Sequence, residues 1–269
     1  MTIDFDAYFK RIGYSGDRKP TLATLRELHR LQPAAIAFEN LTPLMGDPVP
    51  LDAPSLHAKM AAGGRGGYCF EQNLLLASVL GALGFKCRYI TGWPRWGVMG
   101  TPRPRTHLLL LITIDGEDWL AYVGFGGNTL TAPLALNVEG EQKTPHEAAR
   151  IVHENGGYII QVHAGEWRDL VSFDLGHQDF AELDMGNWYT STHPKSRFRN
   201  ELLAARAAPD ARYGLANGNL SIRPRNGEAE RRQLKAVSEI RDALGDLFQI
   251  RMPNDQRLDG ALARVLDKP

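Results

Sequence analysis

A cysteine, a histidine and a tyrosine lie in three short motifs whose order could assemble a nucleophile, a base and a partner for that base. Cys69 sits in "GGRGGYCFEQN", His107 heads "HLLLLITI", and Tyr122 lies within "WLAYVGFGG". The loop Gly63-Gly64-Arg65-Gly66-Gly67 runs straight into a helix-like stretch that starts at Cys69. Free N–H groups and the dipole at such a helix start favour an anion, so they lower a thiol pKa and can hold a developing oxyanion. Arg65 is expected to add positive charge nearby. Taken alone, Cys69 also fits an ordinary buried cysteine. A phosphate loop is a weaker alternative, because no Gly-Lys-Ser/Thr follows the glycines. Cys87 has no comparable surroundings and reads as structural. His107, at the head of an apolar strand, equally fits a hydrogen-bonded core residue.

Positioning these side chains requires particular elements. The first ninety residues read mainly as helices. "TLATLRELHRLQPAAI" starts at Thr21 after Pro20, spaces Leu22, Leu25, Leu28 and Leu31 at three-residue steps, and should end or kink at Pro33. "PSLHAKMAA" is a second short helix. "CFEQNLLLASVLGAL" is apolar almost all round, which predicts a buried helix stopped at Gly84. From about residue 86 the composition changes. "CRYITGW", "THLLLLITI", "WLAYVGF", "GYIIQVHAG" and "WRDLVSFDL" are strand-like runs separated by turn residues, and they predict an antiparallel sheet or barrel. "PHEAARIVHENGG" looks like a helical or irregular insertion. The remainder returns to helix, with Leu234, Val237, Ile240, Leu244 and Phe248 along one stripe. This gives a division into 1–86 (helical, with Cys69), 87–190 (mostly β, with His107 and Tyr122) and 191–269 (mixed).

Strand parity links His107 to Tyr122. The turn "DGED", centred on Gly116-Glu117, puts Tyr122 opposite Leu111, on the face shared by Leu109 and His107. An even adjustment of register leaves that face unchanged, so Tyr122 is a candidate to support the His107 ring. Asp118 shares the face but should lie ~13 Å along the strand.

Bulk properties narrow the class. The chain has 269 residues, enough for a substantial core, with 31 basic and 31 acidic residues in balance. Neutral charge without a basic cluster disfavours nucleic acid. No apolar run approaches the ~20 residues that span a bilayer, and the amino terminus lacks a leader pattern, so a cytoplasmic protein is expected. Two cysteines in a chain of this size read as free thiols, and no histidine pair suggests zinc, so no metal is expected.

The motifs in co-linear order, "YFKRIGYSGDRKPTLATLRELH", "IAFENL", "RGGYCFEQN", "RTHLLLLITIDGEDWL", "VGFGG" and "NWYTSTHPKSRF", resemble the arylamine N-acetyltransferases over nearly the full length. The resemblance implies an α+β fold: an N-terminal helical bundle, a central antiparallel β-barrel and a C-terminal α/β lid, on a papain-like cysteine-enzyme core. It implies ping-pong acetyl transfer from acetyl-CoA, through acetyl-Cys69, to arylamines, arylhydrazines or N-hydroxyarylamines. By motif, Cys69 would be the nucleophile and His107 the base. Phe125, Gly126 and Gly127 would lie beside the active-site and CoA cleft. Two positions depart from the family pattern: Ala37 replaces a proline, and Tyr122 stands where the family has aspartate. A neutral phenol lacks the charge that supports an imidazolium, which leads to an expectation of strongly reduced or absent transfer. The neutral Asn of papain-like enzymes argues the other way. The alternatives are a non-catalytic homologue that binds CoA or aromatic ligands, and a slow acetyl-CoA hydrolase.

Overall fold

The computed structural model describes residues 4–98, 104–176 and 178–266. Helices α1 (Phe5–Ile12) and α2 (Leu22–Ala35) are followed by a two-residue strand, β1 (Phe38–Glu39). Then come α3 (Leu41–Met45), α4 (Ala53–Leu56), which runs on as a π-helical turn (His57–Ala62), and α5 (Cys69–Ala82). Thr21 caps α2 by accepting the Thr24 N–H at 3.3 Å. Pro33 does not stop α2, which continues two residues further to Ala35. The largely apolar character of α5 has the expected consequence: every residue from Cys69 to Ala77 is buried, and Gly84, at φ +87°, follows its end.

The middle of the chain forms seven antiparallel strands: β2 (Lys86–Pro94), β3 (His107–Ile114), β4 (Glu117–Ala121), β5 (Leu134–Ala135), β6 (Ala149–Glu154), β7 (Gly157–His163) and β8 (Trp167–Phe173). Their order is β5-β4-β3-β2-β8-β7-β6, a nearly closed barrel. Gln142 bridges its seam. The side-chain amide of Gln142 pairs with both the N–H and C=O of Ala135 on β5, while its backbone pairs with Ala149 on β6.

Three sequence expectations change here. The segment read as a helical or irregular insertion contains β6, which alternates buried Ala149 and Ile151 with more exposed neighbours. An Asn155-Gly156 turn with φ of 52° and 78° joins it to β7, and that dipeptide is the local signal the composition obscured. The turn between β3 and β4 is Asp115-Gly116, one residue earlier than expected, with φ of 52° and 85°. Leu111 therefore faces Leu120 rather than Tyr122. Parity survives the shift, because two residues separate Leu109, the position Tyr122 would oppose, from His107. Strand β4 also ends at Ala121, so Tyr122–Phe125 leaves the sheet.

The last part mixes helix and sheet, in keeping with the α/β lid, rather than returning to helix alone. Helices α6 (Phe180–Thr192) and α7 (Arg197–Asn200) precede strands β9 (Leu203–Ala207), β10 (Ala211–Ala216), β11 (Asn219–Pro224) and β12 (Glu230–Gln233). Only then come α8 (Val237–Asp246) and α9 (Arg257–Leu266). The expected helical stripe is thus split: Ile240 and Leu244 are buried on α8, whereas Leu234 precedes it. The sheet order β1-β9-β10-β11-β12 recruits Phe38 and Glu39 from the amino-terminal region, with Phe38 opposite Ala205. One apolar core joins α1, α2 and α5 to the barrel; a second lies between α8, α9 and this sheet and includes Leu41 and Leu44. Among the described residues no helix is long and apolar enough to cross a membrane.

Candidate active site

Cys69 is the first residue of α5, where the glycine-rich loop ends. That loop passes tightly over β1: Gly67 N–H donates to Ala37 O, and Glu39 N–H donates to Gly67 O, both at 3.3 Å. A Cβ on Gly66 would fall 2.0 Å from Ala37 O, so no larger residue fits there. Arg65 does not supply a free positive charge. Its guanidinium lies 2.8 Å from the buried carboxylate of Glu39, which also accepts the Gly66 N–H. Glu71, paired with Lys59 at 2.6 Å, accepts the Tyr68 N–H and closes the first turn of α5.

The thiol itself is 1% exposed and donates to Thr106 O at 3.1 Å. Burial pushes the Cys69 thiol up to about 12, outweighing the backbone N–H groups of Leu108 and Phe70, which favour the thiolate. Proximity of Glu71 adds to the rise. The helix start alone, contrary to the sequence expectation, does not produce a low-pKa cysteine.

His107 opens β3, directly after the Thr106 carbonyl that meets Cys69. Its Nδ1 is hydrogen-bonded to the Tyr122 hydroxyl, the contact that strand parity anticipated. Phe125 stacks on the imidazole at 5.3 Å between centroids and 23° between planes. Tyr122 meets both rings edge-on. The phenol is completely buried, and burial holds its pKa well above 10, with the nearby Cys69 adding to the effect. It is therefore neutral. Among the described residues Nδ1 is the hydroxyl's one hydrogen-bond partner. Asp118 is occupied elsewhere, accepting from the Thr113 hydroxyl at 2.7 Å.

Helix side chains, not strand partners, hold the backbone that carries Tyr122. Tyr122 N–H donates to His29 Nε2 at 3.0 Å, and Val123 N–H donates to Asn73 Oδ1 at 3.2 Å. His29 on α2 is fully buried, which pushes its pKa down to about 3 and keeps Nε2 an acceptor. A Cβ on Gly124 would lie 2.8 Å from the Cys69 Cα, so this glycine lets the segment rest on the start of α5. Sequence reading did not single out His29 or Asn73, nor Thr129, whose hydroxyl touches the backbone of both Tyr122 and Phe125. His29 ends "YFKRIGYSGDRKPTLATLRELH" and Asn73 ends "RGGYCFEQN", so both lie inside quoted motifs without a role of their own, and Thr129 lies outside them.

A cleft of about 930 Å³ opens above these groups. Thr106, His107, Phe125, Gly126 and Gly127 line its barrel side. Its opposite wall is one face of the C-terminal sheet, where strand register aligns Phe38, Ala205, Gly214 and Ser221 in a single row. Small side chains in that row leave the volume open. Among the described residues no group of three His, Cys, Asp or Glu side chains is placed to hold a metal ion.

Comparison with known proteins fits this geometry. Residues 21–257 match the N-acetyltransferase family. The chain is 36% identical to an arylamine N-acetyltransferase of Mycolicibacterium smegmatis over 99% of its own length and 100% of that protein. With the Escherichia coli arylamine N-acetyltransferase it shares 37% identity over 92% and 89% of the two chains. The Mycobacterium marinum arylamine N-acetyltransferase in complex with CoA superposes with a TM-score of 0.92 at 38% identity, covering 97% and 99%.

Proposed function

The chain belongs to the arylamine N-acetyltransferase family, and from that premise we propose acetyl transfer from acetyl-CoA to an aromatic amine through acetyl-Cys69, with turnover held strongly down by Tyr122. In the forward half-reaction the Cys69 sulfur attacks the thioester carbonyl, and the C–S bond to CoA breaks. His107 takes the thiol proton and returns it to the leaving CoA sulfur. In the second half an amine attacks acetyl-Cys69, Cys69 leaves, and the amine proton passes to the imidazole. The cleft beside Phe125, Gly126 and Gly127 would receive both substrates in turn.

The observation that carries the reduced rate is the hydrogen bond between the buried, neutral Tyr122 hydroxyl and His107 Nδ1. A hydroxyl with no other acceptor among the described residues donates its hydrogen to Nδ1. The imidazole proton then sits on Nε2, and that nitrogen cannot accept a proton from a thiol. Productive chemistry needs the opposite arrangement, Nδ1–H donating to an acceptor and a free Nε2, followed by an imidazolium that a carboxylate would stabilise. Tyr122 supplies the position of the third group without its charge. Burial of Cys69 works in the same direction, because it favours thiol over thiolate.

The pH dependence of Cys69 alkylation by iodoacetamide, followed by mass spectrometry to separate it from Cys87, tests this reading. The expected rate rises only above the free-cysteine value of ~8.5. Fast, pH-independent alkylation below neutrality would show an intact ion pair and overturn the proposal. CoA release measured with and without an arylamine distinguishes transfer from hydrolysis, which would proceed without the amine.

A further inference from the structure

We infer that Thr129 is a positioning residue for His107, holding through one hydroxyl the backbone of the two aromatic residues whose side chains meet the imidazole. Thr129 is buried. Its Oγ1 donates to Tyr122 O at 3.2 Å and accepts the Phe125 N–H at 3.3 Å. Its own N–H donates to Gly126 O at 3.0 Å, closing the turn. Tyr122 bonds Nδ1 and Phe125 stacks on the ring face, so these two contacts to the imidazole run through residues tied to this hydroxyl. The tie matters because the chain has left the barrel at Ala121 and, among the described residues, no strand neighbour supplies a ladder there.

The turn is held from outside by the C-terminal sheet. Arg212 and Arg223 are direct partners across β10 and β11. Arg212 donates to Thr129 O at 3.0 Å and pairs with Glu147 at 2.6 Å. Arg223 donates to Gly127 O at 2.7 Å and Asn128 Oδ1 at 2.8 Å. The lid sheet therefore does more than cover the cleft: it clamps the turn whose hydroxyl sets the imidazole. This role rests on the proposed use of His107 as base, but its orientation can be read without turnover.

The experiment is ¹⁵N NMR of the histidine rings, with His107 assigned by its loss in His107→Gln. The parent should show one locked tautomer at His107. Thr129→Val, which keeps the shape and removes the hydroxyl, should give averaged tautomer shifts, and Thr129→Ser should restore the parent pattern. Arg223→Gln, made on the rim, should move the signals in the same direction as Thr129→Val and carries the test if the valine variant does not fold. Parent-like His107 signals in folded Thr129→Val would overturn the inference. So would parent-like signals in Arg223→Gln, where that variant stands in, or failure of Thr129→Ser to restore the pattern. Combined with Tyr122→Asp, Thr129→Val should lower kcat about tenfold with little change in KM, the loss expected for one buried hydrogen bond; a change confined to KM would count against it. Absence of turnover in Tyr122→Asp itself would sink the account of Tyr122 while leaving the tautomer measurement to decide on Thr129.

Discussion

Replacing Tyr122 with a carboxylate should raise acetyl transfer, and the geometry says by how much and with which residue. In the parent, the hydroxyl must swing its hydrogen off Nδ1 before Nε2 can act as a base. In a fully buried site that leaves an O–H unpaired, at a cost of about 1–3 kcal/mol, equivalent to roughly 5- to 150-fold in rate. A carboxylate removes this penalty and adds charge for the imidazolium; loss of the equivalent support in a serine protease costs ~10⁴-fold in turnover. The expected gain in kcat/KM thus lies between about fivefold and 10⁴-fold. Reach decides between the two acids. The short side chain of Tyr122→Asp stops several bond lengths before the present phenol oxygen, so His107 would have to follow it inward. The longer side chain of Tyr122→Glu spans more of the gap, and this variant should gain at least as much as Tyr122→Asp. The assay is acetyl-CoA-dependent acetylation of an arylamine, read beside thermal unfolding, since loss of the buried ring leaves space that destabilises the fold. If both folded variants stayed within about threefold of the parent kcat/KM, the tautomer reasoning would be refuted.

Two further outcomes follow from buried groups. His29 is neutral in the fold with a pKa pushed down to about 3, against 6.5 when unfolded. The unfolded chain binds the extra proton below 6.5, so this contribution is intact above that pH and shrinks as pH falls toward 3, by about 2 kcal/mol at about pH 5. His146, pushed down to about 4, acts in the same direction. Urea unfolding midpoints that stay constant from neutrality to about pH 5 would contradict this. Gly124→Ala would press a methyl against the Cys69 Cα, a backbone atom that cannot rotate away. It should destabilise by ~1–3 kcal/mol and suppress Cys69 alkylation, and an unchanged unfolding midpoint would count against the close packing described.

Much of the architecture was legible because it rests on local signals. The largely apolar run from Cys69 made a buried helix readable, and short runs rich in branched and aromatic residues made most barrel strands readable. Where the reading failed, a local signal was masked. In β6, Ala-Ala-Arg resembled helix, although Asn155-Gly156 marked the hairpin. In the C-terminal sheet, short strands rich in Ala and Arg carry little strand propensity and are stabilised by pairing, including with β1 from far earlier in the chain. Turn position was missed by one residue and β4 ends before Tyr122, yet the Tyr122 hydroxyl does meet His107.

The sequence by itself determined the order of Cys69, His107 and Tyr122, the family they resemble, and the face on which the last two meet. Only the tertiary structure decided the chemistry of that meeting. Burial sets the protonation of the Tyr122 phenol and the Cys69 thiol, and burial is the sum of packing from α2, α5 and the barrel. Likewise, Arg65 looked like a free charge until the fold placed the Glu39 carboxylate against it. His29, Asn73 and Thr129 became part of the site because distant backbone groups needed hydrogen-bond partners there. Residue type and spacing can nominate reacting groups; dielectric surroundings and the accounting of buried donors and acceptors determine what those groups can do.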